Sequence, residues 1–267
     1  MNIFNILELY DVKPEGLETF TSRRNAFTKL ANIGKKTALA AVPISLGTSW
    51  LNKANAKNAN SMNFVDVLNF ALTLEYLEAE FYTKGLQSNI IPGADRAIFE
   101  LLEKHEIQHK DFLITVINSL GGTPVAKPTF DFTADGNFTP FENYDQFLAL
   151  SQAFEDTGVR AYKGQAANLM GNNDLLTAAL QIHSVEARHA SEVRRLRGIK
   201  GWITGSDENN GLPGATNPVY AGENQMTQGG VDVRSVTSVG ENGITEAFDE
   251  PLTMEEVLAI GGLFIVS

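Results

Sequence analysis

The chain has 267 residues, a length that fits one or two domains. Its hydrophobic fraction of 43% is ample for a core and too dispersed for many membrane spans. With no cysteine it can form no disulfide, thiolate zinc site or cysteine nucleophile, and a formal charge of −11 argues against nucleic acid or an anionic membrane as partner.

Residues 1–56 differ in character from the rest of the chain. Arg23, Arg24, Lys29, Lys35 and Lys36 precede the apolar stretch TALAAVPISLGTSWL, which Pro43 and Gly47 interrupt. That stretch is shorter than the roughly 20 apolar residues of a membrane span. It fits the apolar region of an export signal, with ANA at 54–56 as a small-residue cleavage site. The paired arginines resemble a twin-arginine signal. In one departure, Phe27 lies three residues after Arg24, where that pattern has it two after. A general secretory signal and an uncleaved basic helix are the alternatives. This reading makes 1–56 a removable export signal and the mature chain periplasmic or otherwise exported, with no membrane span.

From residue 57 helical periodicity dominates. NFVDVLNFALTLEYLEAEFYTKGL repeats apolar residues at three- and four-residue steps and predicts a helix over 63–86. After Pro92 a second run predicts a helix over 93–120, closed by Gly121 and Gly122. Residues 121–142 carry Pro, Gly and Asp without helical period and read as a connection. Helices follow over about 144–169 and 175–196, separated by MGNND, and the basic turn RRLR suits the last C-terminus. The prediction is an all-α four-helix bundle over 57–197 with one long crossover.

The spacings add a candidate site. Glu75 precedes Glu106 by 31 residues, and Glu155 precedes Glu186 by the same 31. Tyr82 and Tyr162 each lie seven after their glutamate, and His109 and His189 each lie three after theirs. Every member of the set Glu75, Tyr82, Glu106 and His109 therefore recurs 80 residues later.

Positions three, four and seven apart share one side of a helix. Glu75 shares its side with Leu68, Ala71, Leu72, Ala79 and Tyr82, and Glu155 with Leu148, Val159 and Tyr162. Glu106 lies with Phe99, Leu102, His109 and Leu113, and Glu186 with Ala179, Ile182, His189 and Val193. All four carboxylates thus fall on apolar, inward stripes. A buried unpaired carboxylate costs several kcal/mol or takes up a proton. Two divalent cations match four glutamates in charge, with two neutral imidazoles completing the shells. One Glu from each of two helices and a Glu-x-x-His from each of the others is the ligand pattern of di-iron and di-manganese carboxylate bundles. Two ions of iron or manganese are therefore expected at Glu75, Glu106, His109, Glu155, Glu186 and His189. Tyr82 and Tyr162 read either as hydrogen-bond donors to these carboxylates or as packed core tyrosines.

The phrases LNFALTLEYLEAEFY (68–82), EIQH (106–109), AFEDTGVRAY (153–162) and EARH (186–189) resemble ferritin-like domain proteins, in particular an exported bacterial branch related to desiccation- and stress-associated members. The resemblance covers roughly 63–197 and is specific for fold more than for reaction. It implies that the six residues are metal ligands, with Glu106 and Glu186 bridging. It also implies redox chemistry on a small oxidant, dioxygen or peroxide, and a homo-oligomer or pairing with a related ferritin-like chain. The alternatives are metal binding without turnover and a structural stress protein with the bundle as scaffold.

Among neighbours of the set, Glu78 is read as peripheral because its repeat partner is Gly158, and His105 as a surface residue one position off the Glu106 face. His183 and Glu103 are repeat partners, read as an outer layer or as polar groups with partners of their own. Glu80 and Glu100 read as solvent-facing. Residues 198–267 form a loop-rich extension with a β-like stretch at 229–239. A short helix near the end is capped by Thr253 with Glu256 three later, and docks on the bundle or on a partner subunit. The acidic run at 245–251 reads as a solvated loop.

Overall fold

The computed structural model describes residues 63–206, 210–212 and 218–266; the expected export signal lies outside them. Four long helices form the bundle: α1 (Phe64–Gln87), α2 (Arg96–Ser119), α3 (Tyr144–Gln165) and α4 (Asn173–Leu196). Three start on an asparagine whose side-chain oxygen accepts a first-turn backbone N–H: Asn63 from Val65, Asn143 from Gln146, and Asn172 from Asp174 and Leu175. Asp66, Asp145 and Asp174 add negative charge to these same first turns. Helix α2 begins at Arg96 rather than Gly93, because 93–95 form a turn closed by Asp95 N donating to Pro92 O at 3.0 Å. Helix α3 ends at Gln165, and Ala166–Leu169 tighten into a 3₁₀ turn.

Helix α1 packs chiefly on α2, and α3 on α4. One apolar cluster gathers around Phe81, which stacks on Phe147 with ring centroids 4.9 Å apart and meets Phe154 edge-on. A second holds Leu68, Leu72, Leu113, Ile117, Leu169 and Leu175. Along α1, Glu75 falls between the two clusters. The crossover between α2 and α3 contributes buried Phe130 and Phe132 to the first cluster, so it is pinned to the bundle despite its lack of period.

The C-terminal extension lies on α1 and α3. Ile203, Val219, Tyr220, Leu252, Val257 and Ile260 pack against Phe70, Leu74, Ala153 and Ala161. Leu252 N donates to Arg160 O at 3.2 Å. The chain comes so close there that a Cβ on Gly164 would sit 1.9 Å from Leu252 O, so only glycine fits. Arg160, fully buried, donates to Glu250 O at 2.8 Å, Ala221 O at 2.5 Å and Val219 O, and pairs with Glu223 Oε1 at 2.8 Å. Arg194 reaches Asp156 Oδ2 at 2.5 Å and Asn210 Oδ1 at 3.2 Å. These buried charges lie on the side of α3 that a bare bundle would leave to water, and α3 is consequently buried on nearly every face.

A short helix α5 (Glu241–Thr245) precedes α6 (Met254–Gly261), which starts on the Thr253–Glu256 capping box with both reciprocal hydrogen bonds formed. The chain then pairs Ile265–Val266 antiparallel with Thr129–Phe130 in the crossover. The β-like stretch at 229–239 shrinks to a hairpin of two-residue strands, Thr227–Gln228 and Val231–Asp232. Gly229 and Gly230 form its turn at φ 57 and 83, and Asp232 then caps a 3₁₀ turn over Val233–Ser235. No helix among the described residues is long and apolar enough to cross a membrane.

Candidate metal centre

The inward stripes bring the six predicted residues to one place. Glu75, Glu106, Glu155 and Glu186 are each fully buried, and His189 is nearly so. Their ligand atoms form two overlapping groups: Glu75, Glu106, His109 and Glu186, and Glu106, Glu155, Glu186 and His189. Within each group the atoms lie within 4.8 Å of one another. Glu106 and Glu186 belong to both groups.

The oxygens divide accordingly. His109 Nδ1 lies 3.0 Å from Glu106 Oε2, 3.1 Å from Glu186 Oε1 and 3.4 Å from Glu75 Oε2. His189 Nδ1 lies 2.8 Å from Glu106 Oε1, 3.2 Å from Glu155 Oε2 and 3.9 Å from Glu186 Oε2. Glu106 and Glu186 thus each turn one oxygen to either histidine, the disposition a bridging carboxylate takes. Glu75 serves the first group alone and Glu155 the second.

The tyrosines act across the bundle. Tyr82 on α1 donates to Glu155 Oε1 on α3 at 2.5 Å, and Tyr162 on α3 donates to Glu75 Oε1 on α1. Both readings of these residues hold: each tyrosine donates to a carboxylate and each also packs in an apolar cluster. Each tyrosine takes up the carboxylate oxygen that faces away from the histidines and leaves the other oxygen to the centre.

Two neighbours stand differently from the sequence-based expectation. His105 is half-buried, not on the surface. Its ring stacks on His189, and its Nδ1 lies 2.9 Å from His189 Nε2. That contact fixes which nitrogen of His189 faces inward. The signal in the sequence was the four-residue step from His105 to His109, which puts both on one face. Glu78 is not peripheral: it is 3% exposed and lies beside Glu186 at the edge of the cage. A Cβ on Gly158, its repeat partner, would lie 3.3 Å from Glu78 Oε1 and 3.2 Å from Glu186 Oε2. The missing side chain at 158 is what makes room for Glu78. His183 and Glu103 have separate partners, Val159 O and Thr83 Oγ1. Glu80 pairs with Lys84 and Lys127, and Glu100 with Arg96, near or at the surface.

The electrostatics are those of a site built around positive charge. Burial raises Glu75 to about 7, and burial likewise raises Glu155 and, strongly, Glu186. Burial also pushes Glu106 upward, but the hydrogen bond from His109 and the charges of His109 and His189 outweigh it and hold this carboxyl at about 2. Burial lowers both histidines, yet the carboxylates prevail: His109 is raised strongly, and His189 to about 11. Without metal, the protons on the two imidazoles are the positive charges at hand.

They leave the site only partly satisfied. Among the described residues, seven buried side-chain atoms lack a hydrogen-bond partner. Six of them are here: Glu75 Oε2, Glu106 Oε1, Glu155 Oε2, both oxygens of Glu186, and His189 Nδ1. Glu106 Oε1 and His189 Nδ1 are 2.8 Å apart and still lack hydrogen-bond geometry, as expected of atoms aimed at a third point. Carboxylate and imidazole donors converging in this way fit divalent transition metals.

The fold and the cage define a class: a four-helix bundle whose helices enclose a carboxylate–histidine site able to hold metal. The sequence profile of the ferritin-like domain family matches residues 63–198, half of the chain and the whole of α1 to α4. The chain belongs to the ferritin-like domain family. No curated protein matches it in sequence.

Proposed function

We propose that the chain is a di-metal carboxylate protein that carries two ions of iron or manganese and uses them in redox chemistry on dioxygen or peroxide. The observation that carries this reading is the set of six unpartnered buried atoms converging from four helices. Glu75, Glu106, His109 and Glu186 would hold one ion, and Glu106, Glu155, Glu186 and His189 the other. Such a pair, when bound, supplies electrons for reduction of a small oxidant. The chain's own residues orient the donors. Tyr82 and Tyr162 hold Glu155 and Glu75, and His105 holds His189. The surrounding Phe81 and Leu72 clusters keep bulk water out.

The test is metal content per chain by plasma mass spectrometry on protein from its native compartment, followed by peroxide and dioxygen consumption. About two iron or manganese ions per chain with oxidant turnover is the expected result. Two ions without turnover leaves metal binding alone. A well-folded protein with no metal overturns the proposal and favours a scaffold.

Export by a twin-arginine route, and a role in oxidative or desiccation stress outside the cytoplasm, belong to the same proposal. The route rests on Arg23, Arg24 and the apolar stretch after them, and the stress role on the resemblance of the four phrases at 68–82, 106–109, 153–162 and 186–189. Replacing both arginines with lysine strands the precursor inside the cell; normal export of that variant overturns the route.

A further inference from the structure

We propose that Glu78 is a seventh protein ligand of the metal pair, entering from the seam between α1 and α3 through the gap left by Gly158. The proposal rests on the di-metal reading and extends it.

Three observations converge on Glu78. First, its carboxylate is buried, and among the described residues no Lys, Arg or His pairs with it. It lines a small cavity of about 10 Å³ whose other walls include Leu74, Leu77, Phe154 and Ile260. The hydroxyl there, Thr157 Oγ1, donates to Ala153 O at 2.6 Å.

Second, Gly158 leaves the way open. Its absent Cβ would press on Glu78 Oε1 and Glu186 Oε2 together, so the two oxygens flank one gap with no side chain between them. Any other residue at 158 would need one of the two carboxylates to give way.

Third, Glu186 Oε2 is itself buried and unpartnered. The shared carboxylate therefore presents a free oxygen on the side from which Glu78 approaches. A divalent ion at this end of the cage would satisfy both, and would account for the difference between the halves at this pair, a glutamate in the first and a glycine in the second.

The experiment compares the wild-type chain with Glu78→Gln, which keeps shape and removes charge. Metal-free protein is titrated anaerobically with Mn(II) and with Fe(II) against a competing chelator, and ions per chain are counted by mass spectrometry. A crystal structure of the Mn(II)-loaded wild type locates the ions by anomalous scattering. Expected are two ions in the wild type with a Glu78 oxygen bonded to one of them, and in Glu78→Gln one ion held about 10- to 100-fold more weakly. Wild-type affinity in the variant overturns the inference. So does a loaded structure in which Glu78 stays turned to Leu77 and Ile260, because a drop in affinity would then come from charge at a distance. A wild type that binds no metal overturns the di-metal reading instead, so the two failures are distinguishable.

Discussion

Helices α1 and α2 supply Glu75, Tyr82, Glu106 and His109, and α3 and α4 supply Glu155, Tyr162, Glu186 and His189 at the same spacings. Around this matched set the two halves diverge. Position 80 in the first half is Glu80, near the surface between Lys84 and Lys127; its counterpart is Arg160, fully buried beneath the C-terminal extension. Glu78 faces Gly158 across the seam. His189 has His105 behind it, whereas the position matching His105 in the other half is Val185. What the bundle holds at its centre is repeated, and what holds the bundle is not. The symmetry of the site therefore comes from its repeated glutamates, tyrosines and histidines, while the surroundings of His109 and of His189 differ.

The comparison breaks most visibly at the shared carboxylates. Glu106→Ala and Glu186→Ala should each cost both ions, because each residue turns an oxygen to either group, whereas Glu75→Ala or Glu155→Ala should cost one. Metal counts per chain check this, and a Glu106→Ala protein that keeps one ion at full occupancy would contradict the bridging geometry. Next in size is the difference between positions 160 and 80. Arg160→Met leaves Glu223 buried without its partner and should destabilise the fold by about 3–5 kcal/mol. Glu80→Met removes the two pairs with Lys84 and Lys127 near the surface and should change stability by about 1 kcal/mol. Urea denaturation of the two variants side by side measures the gap.

A third test removes the metal and varies pH. Glu75, at about 7 in the folded chain, stabilises the fold only while protonated; this contribution is complete below its usual 4.5 and is lost as pH rises through 7. His189, raised to about 11, adds stability that is full below 6.5 and declines above it. Glu106 runs the other way, with its contribution complete above 4.5 and lost toward pH 2. Between pH 5 and 8 the first two dominate. Chelated protein should therefore lose thermal stability as pH rises, by roughly 3 kcal/mol for the Glu75 shift alone. Calorimetry across that range, with and without metal, checks it; a metal-free protein that gains stability from pH 5 to 8 would refute the assignment. The smallest expected effect sharpens the asymmetry at the histidines. His105→Ala should weaken the His189 ion about 10- to 100-fold, while Val185→Ala, the same position in the other half, should leave metal affinity unchanged.

Much of this was legible in the sequence, because the bundle and its ligands obey one rule of period. The four helices, the crossover and the six inward-facing residues of the cage follow from steps of three, four and seven residues and from the 80-residue repeat. Glu78 and Gly158 were visible as repeat partners, but a one-dimensional comparison treats a missing side chain as a missing role. In three dimensions it is space, which the opposite glutamate fills. The extension was unreadable for a different reason. Its attachment runs from Arg160 and Arg194 to backbone carbonyls and loop side chains, as in Arg160 to Val219 and Glu250 and Arg194 to Trp202. Carbonyls leave no trace in composition, and loops have no period to betray what they cover.

The crossed tyrosine bonds also bear on mechanics. Tyr82 ties α1 to Glu155 and Tyr162 ties α3 to Glu75, at two levels separated by two helical turns on each helix. If one of these helices slides along the other, both ties stretch at once, and each is buried where water cannot replace it. The pair works as a cross-brace against shear. It locks the axial register of α1 and α3 far more tightly than greasy side chains, which can re-seat one turn along, would do alone.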